Sequence, residues 1–190
     1  IVEKLQSIQE PKLLYPTHAA LHKGFDVLFS ALAKLRERGV TITLITTFSA
    51  GDWPEGVSRY KQQIKKLGLE SNVVFLGRIP QDQMGSLYQN VDAMVYPSLC
   101  ESFGFSMIEA MGNGLPIVAA DTAVNKEICG KGALYYSSLN PDDAATAVQS
   151  VLDVNIQKGL IKETEYRFQE FDWGWQRYAR EFVSMIEDVV

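Results

Sequence analysis

A chain of 190 residues, 46% of them hydrophobic and with no long biased tract, is long enough to bury a proper core and is read as one globular domain. Its net charge of −5, without a dense run of Lys or Arg, gives no electrostatic case for nucleic acid or an acidic membrane as partner. Two cysteines, Cys100 and Cys129, lack CxxC spacing and with two scattered histidines make no zinc site. No stretch is apolar for long enough to span a bilayer and no signal peptide precedes Lys12, so reduced thiols in a cytosolic protein are expected.

The opening IVEKLQSIQEPK reads as a linker and carries no initiator methionine, which suggests a fragment with a further domain upstream. A short strand over 13–15 is stopped by Pro16, and an amphipathic helix over 25–38 carries Val27, Leu28, Ala31, Leu32 and Leu35 at helical spacing. The loop between them, PTHAALHKG, contains no G-x-G-x-x-G, which argues against a dehydrogenase-type dinucleotide site. Gly39 closes the helix, a second strand covers 41–46, and FSAGDWPEG is a turn-rich loop before a helix over 57–67 that Gly68 ends. Trp53 in that loop is as readily a packing cover as a ligand contact. A third strand over 73–76 leads directly into Gly77-Arg78-Ile79-Pro80 and a helix over 81–89.

The stretch VDAMVYPSLCESFGFSMIEAMGNGLPIVAAD, 91–121, organises the rest. Two short apolar runs, 93–96 and 116–119, read as central parallel strands buried on both faces. Glu101 stands just beyond the first of them, beside Phe103 and Phe105, where open α/β sheets bind ligands. A helix starts over 103–106, and its first amides, at the positive end of the dipole, suit an anion or a ring of sugar hydroxyls. Ser106-x-x-Glu109 is also a good capping box, and taken alone that structural reading of Glu109 outweighs ligand binding. Asp92 opens its strand, the wrong end for a phospho-acceptor, which excludes a receiver domain.

Beyond it, 121–126 is polar and suited to cover a pocket, 133–136 is a sixth strand and 141–152 a helix, so the whole alternates in the βαβ manner of a parallel sheet. Helical sections over 157–171 and 173–190 follow. Their Phe171, Trp173, Trp175, Tyr178 and Phe182 are expected to be mostly core, with part of the last apolar face left exposed.

The segment ESFGFSMIEAMGNGLPIVAAD, with VDAMVYPS before it, resembles the nucleotide-sugar site of retaining GT-B glycosyltransferases of the family 4, or group 1, type, and the similarity extends over roughly 12–152. The resemblance implies an α/β fold with a Rossmann-like parallel six-stranded sheet flanked by helices, one half of a two-domain architecture. Residues 1–11 would link from an N-terminal domain, 12–155 would bind the nucleotide sugar, and 156–190 would pack on that domain and reach toward the other. It implies further that Glu101 contacts the donor sugar's hydroxyls, that Glu109 holds the ribose, and that the amides of Gly104, Phe105 and Ser106 face sugar and diphosphate. Ser106 stands where relatives often have a second glycine. Lys23-Gly24 matches a lysine-glycine pair that touches the diphosphate, and His18 stands where relatives carry an arginine, so that half of the clamp becomes weaker or pH-dependent. Gly77, Arg78 and Ile79 would flank the nucleobase.

The function so implied is transfer of a hexosyl group from a GDP- or UDP-linked sugar to a hydroxyl on a glycan or lipid-linked glycan. Lys23 and Glu101 act at the reacting centre, with no cofactor and no metal. The chain alone is expected to be inactive, and the full protein cytoplasmic, peripheral to the inner face of the membrane through its other domain. An epimerase or phosphorylase on the same plan, or a non-catalytic nucleotide-binding scaffold, is the alternative. Donor sugar, base, acceptor and linkage are not specified by the sequence.

Overall fold

Runs of apolar and β-branched residues set the strands: β1 (Lys12–Tyr15), β2 (Thr43–Thr46), β3 (Val73–Phe75), β4 (Ala93–Tyr96), β5 (Ile117–Ala120) and β6 (Ala133–Tyr136). The computed structural model describes residues 1–49, 51–171 and 174–187. In it the strands form a six-stranded sheet, every pair parallel, in the order β3-β2-β1-β4-β5-β6. Strands β1, β2, β4 and β5 are buried at every position, as helices on both faces of a parallel sheet require. Between β1 and β4 the order reverses, because β2 follows β1 to one side while β4 pairs with β1 on the other. That reversal opens a crevice at the carboxyl ends of these two strands.

The helices are α1 (Val2–Gln6), α2 (Phe25–Glu37), α3 (Pro54–Lys66), α4 (Gln81–Tyr88), α5 (Phe105–Gly112), α6 (Ala123–Cys129), α7 (Pro141–Val151), α8 (Val154–Phe168) and α9 (Trp175–Glu187). Three starts are fixed by side-chain caps: Thr122 accepts from the Asn125 amide, Asn140 from those of Asp142 and Asp143, and Asp153 from those of Asn155 and Ile156. Helix α2 lies along α7, tied by Lys34 to Asp142 at 2.8 Å. On its inner face Phe25 and Phe29 pack with Phe48 and Tyr60. Rings of this size each contribute roughly 1.5–3 kcal/mol when fully buried.

Several sequence expectations are revised. Residues 1–11, read as linker, include α1, whose Leu5 is fully buried and accepts a hydrogen bond from Lys12 Nζ at its carbonyl. The polar stretch after β5 is largely α6, because Asn125, Ile128 and Cys129 fall on one inward face at i, i+3 and i+4. Trp53 is a packing cover: it lies over Gly56, where an added Cβ would sit 1.9 Å from its ring, and meets Tyr60 at 6.0 Å. Phe171 does pack, under the Arg167 guanidinium and against Phe103. Helix α9 instead buries nothing, and Trp175, Tyr178 and Phe182 are exposed. Trp173 lies outside the described residues.

Candidate functional site

Two loops at the carboxyl edge are stitched together before any side chain of interest is placed. The chain leaving β1 turns through a short 3-10 segment, Leu21–Lys23, into Gly24 at φ +68°. A Cβ on Gly24 would stand 2.2 Å from the Pro97 carbonyl oxygen, so only glycine lets the loop lie against the end of β4. The Leu99 amide donates to the His22 carbonyl at 2.9 Å, and the buried Tyr15 hydroxyl donates to the Lys23 carbonyl at 3.1 Å. Backbone from both sides of the switch point is therefore held in register.

The consequence is an ion pair. Lys23 Nζ donates to Glu101 Oε1 at 2.6 Å, with the side chains only 8% and 13% exposed, so the lysine is buried and committed to a carboxylate. Burial alone would raise the Glu101 carboxyl, but hydrogen bonding from Lys23 and Ser98, the Lys23 charge and hydrogen bonding from Tyr96 together hold it below the ordinary glutamate range. Burial and the neighbouring Glu101 charge push the Tyr96 hydroxyl well above its ordinary value. Tyr96 thus stays a neutral donor beside a carboxylate.

Helix α5 starts next to this pair. Its N-cap is Gly104 at φ +94°, no side chain caps it, and the Met107 amide closes the first turn on the Gly104 carbonyl at 3.0 Å. The first amides, at Phe105 and Ser106, carry the positive end of the dipole, and among the described residues no side chain caps this start. The Phe105 ring stands out at 71% exposure and leans on Phe103 at 4.9 Å.

The capping box fails. With Gly104 as N-cap, Ser106 is already inside the helix and Glu109 lies in its second turn, too far along to reach back. Glu109 instead accepts from the Tyr88 hydroxyl at 2.8 Å on Oε2 and from Gln81 Nε2 at 3.4 Å on Oε1. All three line one cavity of about 310 Å³ between α4 and α5.

The remaining predicted residues gather nearby. His18, Arg78 and Ile79 share a cavity of about 320 Å³ with Thr17, Thr47 and Asp52 beyond the ends of β1, β2 and β3. Gly77, at φ +74°, lines an adjacent one with Phe48, Ser49 and Lys61. His18 is exposed and its ring contact is with His22 at 6.2 Å; among the described residues no hydrogen bond or ion pair joins it to Lys23 or Glu101. Tyr88 and Tyr96 are the partners of Glu109 and Glu101 that sequence reasoning missed, because an aromatic on an amphipathic helix or at a strand end reads as core. The Cys129 thiol is buried, pushed up to about 12, and lies 3.4 Å from Met107 Sδ, while Cys100 is exposed. Among the described residues no group of three or more His, Cys, Asp or Glu could hold a metal ion, and no helix is long and apolar enough to cross a membrane.

A doubly wound parallel sheet of this order, with a lysine-carboxylate pair and the start of α5 at its switch point, is Rossmann-like, and the glycosyltransferase structures it superposes on make it one half of a GT-B fold. The chain belongs to the glycosyl transferases group 1 family, whose sequence pattern matches residues 2–167. It is similar to an uncharacterized glycosyltransferase of Methanocaldococcus jannaschii, 28% identical over 179 residues, which cover 93% of this chain and 44% of that protein. Among solved structures, a glycosyltransferase from Rickettsia africae superposes with a TM-score of 0.84 at 20% identity over 98% of this chain and 50% of its own. The HepE protein of Anabaena in complex with UDP superposes with a TM-score of 0.82 at 20% identity, over 98% and 51%. At these identities the structures share the fold. The chain spans about half the length, or less, of these three proteins.

Proposed function

We propose that this chain is the nucleotide-sugar-binding half of a retaining glycosyltransferase that moves a hexosyl group from a UDP- or GDP-linked donor to a hydroxyl of a glycan or lipid-linked glycan. One observation carries the reading: Lys23 and Glu101, from the loops after β1 and β4, meet at 2.6 Å beside the open start of α5. A cation, a hydroxyl-binding carboxylate and free amides converge there, which suits a diphosphate bonded to a sugar. In the transfer, the bond from the anomeric carbon to the diphosphate oxygen breaks, one to the acceptor oxygen forms, and the acceptor hydroxyl's proton passes to the departing diphosphate. Charge grows on the leaving diphosphate, where Lys23 and the amides of Gly104–Ser106 stabilise it. Glu101, already neutralised by Lys23, orients sugar hydroxyls rather than attacking. Glu109, aimed by Tyr88 and Gln81, accepts from the ribose hydroxyls, and the cavity of His18, Arg78 and Ile79, with Gly77 beside it, takes the base.

The diphosphate charge would be carried by these groups without a metal, so UDP affinity should be unchanged by EDTA. The acceptor site belongs to a second domain, and a cytoplasmic location fits the two unpaired cysteines. Epimerase, phosphorylase and scaffold readings draw no support from relatives named as glycosyltransferases. Amide chemical-shift mapping with UDP, GDP and ADP tests the proposal. Shifts at Gly104, Ser106 and Gly77 with at least one nucleotide are expected; shifts confined to other faces would refute it.

A further inference from the structure

We infer that Glu101 weakens the grip of the site on the nucleotide product by competing with the diphosphate for the Lys23 ammonium. The inference rests on the diphosphate reading above and deepens it. Lys23 is no free cation waiting for phosphate: its stem is buried, its backbone is held by Tyr15 and by its own turn onto the Ala20 carbonyl, and one of its N–H donors is committed to Glu101 Oε1 at 2.6 Å. A diphosphate reaching Lys23 therefore meets a charge already balanced, and a carboxylate close enough to repel it. While the donor is intact, sugar hydroxyls can donate to Glu101 and compensate that carboxylate as Lys23 turns toward the diphosphate. Once the sugar has moved to the acceptor, those donors are gone. The carboxylate then reclaims Lys23 at hydrogen-bond distance, and the nucleotide loses its main cation. The same pair would hold substrate and loosen product, whereas a residue that only positions sugar would leave free diphosphate binding untouched.

Calorimetry with inorganic pyrophosphate and with UDP on four proteins tests this: wild type, Glu101→Gln, Lys23→Met and the double variant. Glutamine keeps an oxygen for Lys23 but removes the charge, so both ligands should bind roughly tenfold more tightly than to wild type. Lys23→Met should weaken both by about the same factor or more, and adding Glu101→Gln to it should tighten them by distinctly less than in the wild-type background, because only direct repulsion by the carboxylate is then relieved. Unchanged or weaker binding to Glu101→Gln overturns the inference, as does equal tightening in both backgrounds, which would reduce the effect to bulk charge. If Lys23→Met alone binds like wild type, the diphosphate is not on Lys23 and the functional reading falls as well; if it weakens binding while Glu101→Gln is flat, the inference alone is lost. Should Glu101→Gln fail to fold, Glu101→Asp keeps the charge and shortens its reach to Lys23. A tightening on the order of threefold is then expected, and none overturns the inference.

Discussion

Gly24 is where backbone geometry and charge placement meet, since its left-handed φ and its contact with Pro97 decide whether Lys23 arrives at Glu101. Gly24→Ala should cost about 2–4 kcal/mol in urea unfolding, combining left-handed strain with a backbone clash. Gly39→Ala, also at positive φ but with nothing within 4 Å of the added carbon, should cost only about 1 kcal/mol. Equal costs would remove the contact from the explanation. Glu101 makes stability depend on acid pH. Its native carboxyl is held below the ordinary range, so its contribution is complete above that range and is lost as pH falls through the native value. Wild type should exceed Glu101→Gln by about 1–3 kcal/mol near neutrality and converge with it in acid; parallel curves would show the pair contributes nothing. Glu109→Gln retains an oxygen for Tyr88 and removes no cap, so melting should shift by under about 0.5 kcal/mol while nucleotide affinity falls by about 1.5–3 kcal/mol.

Among elements, those buried on both faces were legible in the residues and those defined by one contact were not. Strands β4 and β6 run where their apolar runs place them, and β1, β2, β3 and β5 differ from the expected spans only at their ends. Ser106-x-x-Glu109 misled because a capping pattern says nothing of a glycine upstream: Gly104 adopts the left-handed conformation and starts the helix before the serine. Helix α6 was hidden by its shortness, since seven residues show too little period to outweigh Asn, Lys and Glu. Aromatics at helical spacing in α9 looked like core, yet Trp175 is 84% exposed. Truncation after Phe171 should therefore leave the unfolding free energy within about 0.5 kcal/mol. By contrast Asp153→Ala, which uncaps α8, a helix that packs on α5, should cost about 1 kcal/mol. A large loss from the truncation would mean that α9 packs on the domain in solution.

For the molecule as a whole, the switch point gathers Lys23, Glu101 and the start of α5, with Glu109 one turn further along that helix and the cavity of His18, Arg78 and Ile79 beyond β1, β2 and β3. That the loops after β1 and β4 meet at the switch point was legible from the strand pattern and the segment from Glu101 to Glu109. That Lys23 is spent on Glu101, and that Tyr88 aims Glu109, was not, because both depend on contacts between residues distant in sequence. On the two-domain proposal the chain alone should bind nucleotide and transfer no sugar, since a domain of this kind folds on its own core and the acceptor half of the cleft would be supplied by the other domain. Sustained transfer by the purified 190-residue chain would refute the two-domain reading. The decisive measurement is calorimetric titration of UDP, GDP and ADP into the wild-type chain, Lys23→Met and Glu109→Gln. One-to-one binding of at least one nucleotide, weakened about tenfold or more by each variant, is the expected result. No binding of any nucleotide, or binding indifferent to both substitutions, would contradict a nucleotide-sugar site at the switch point.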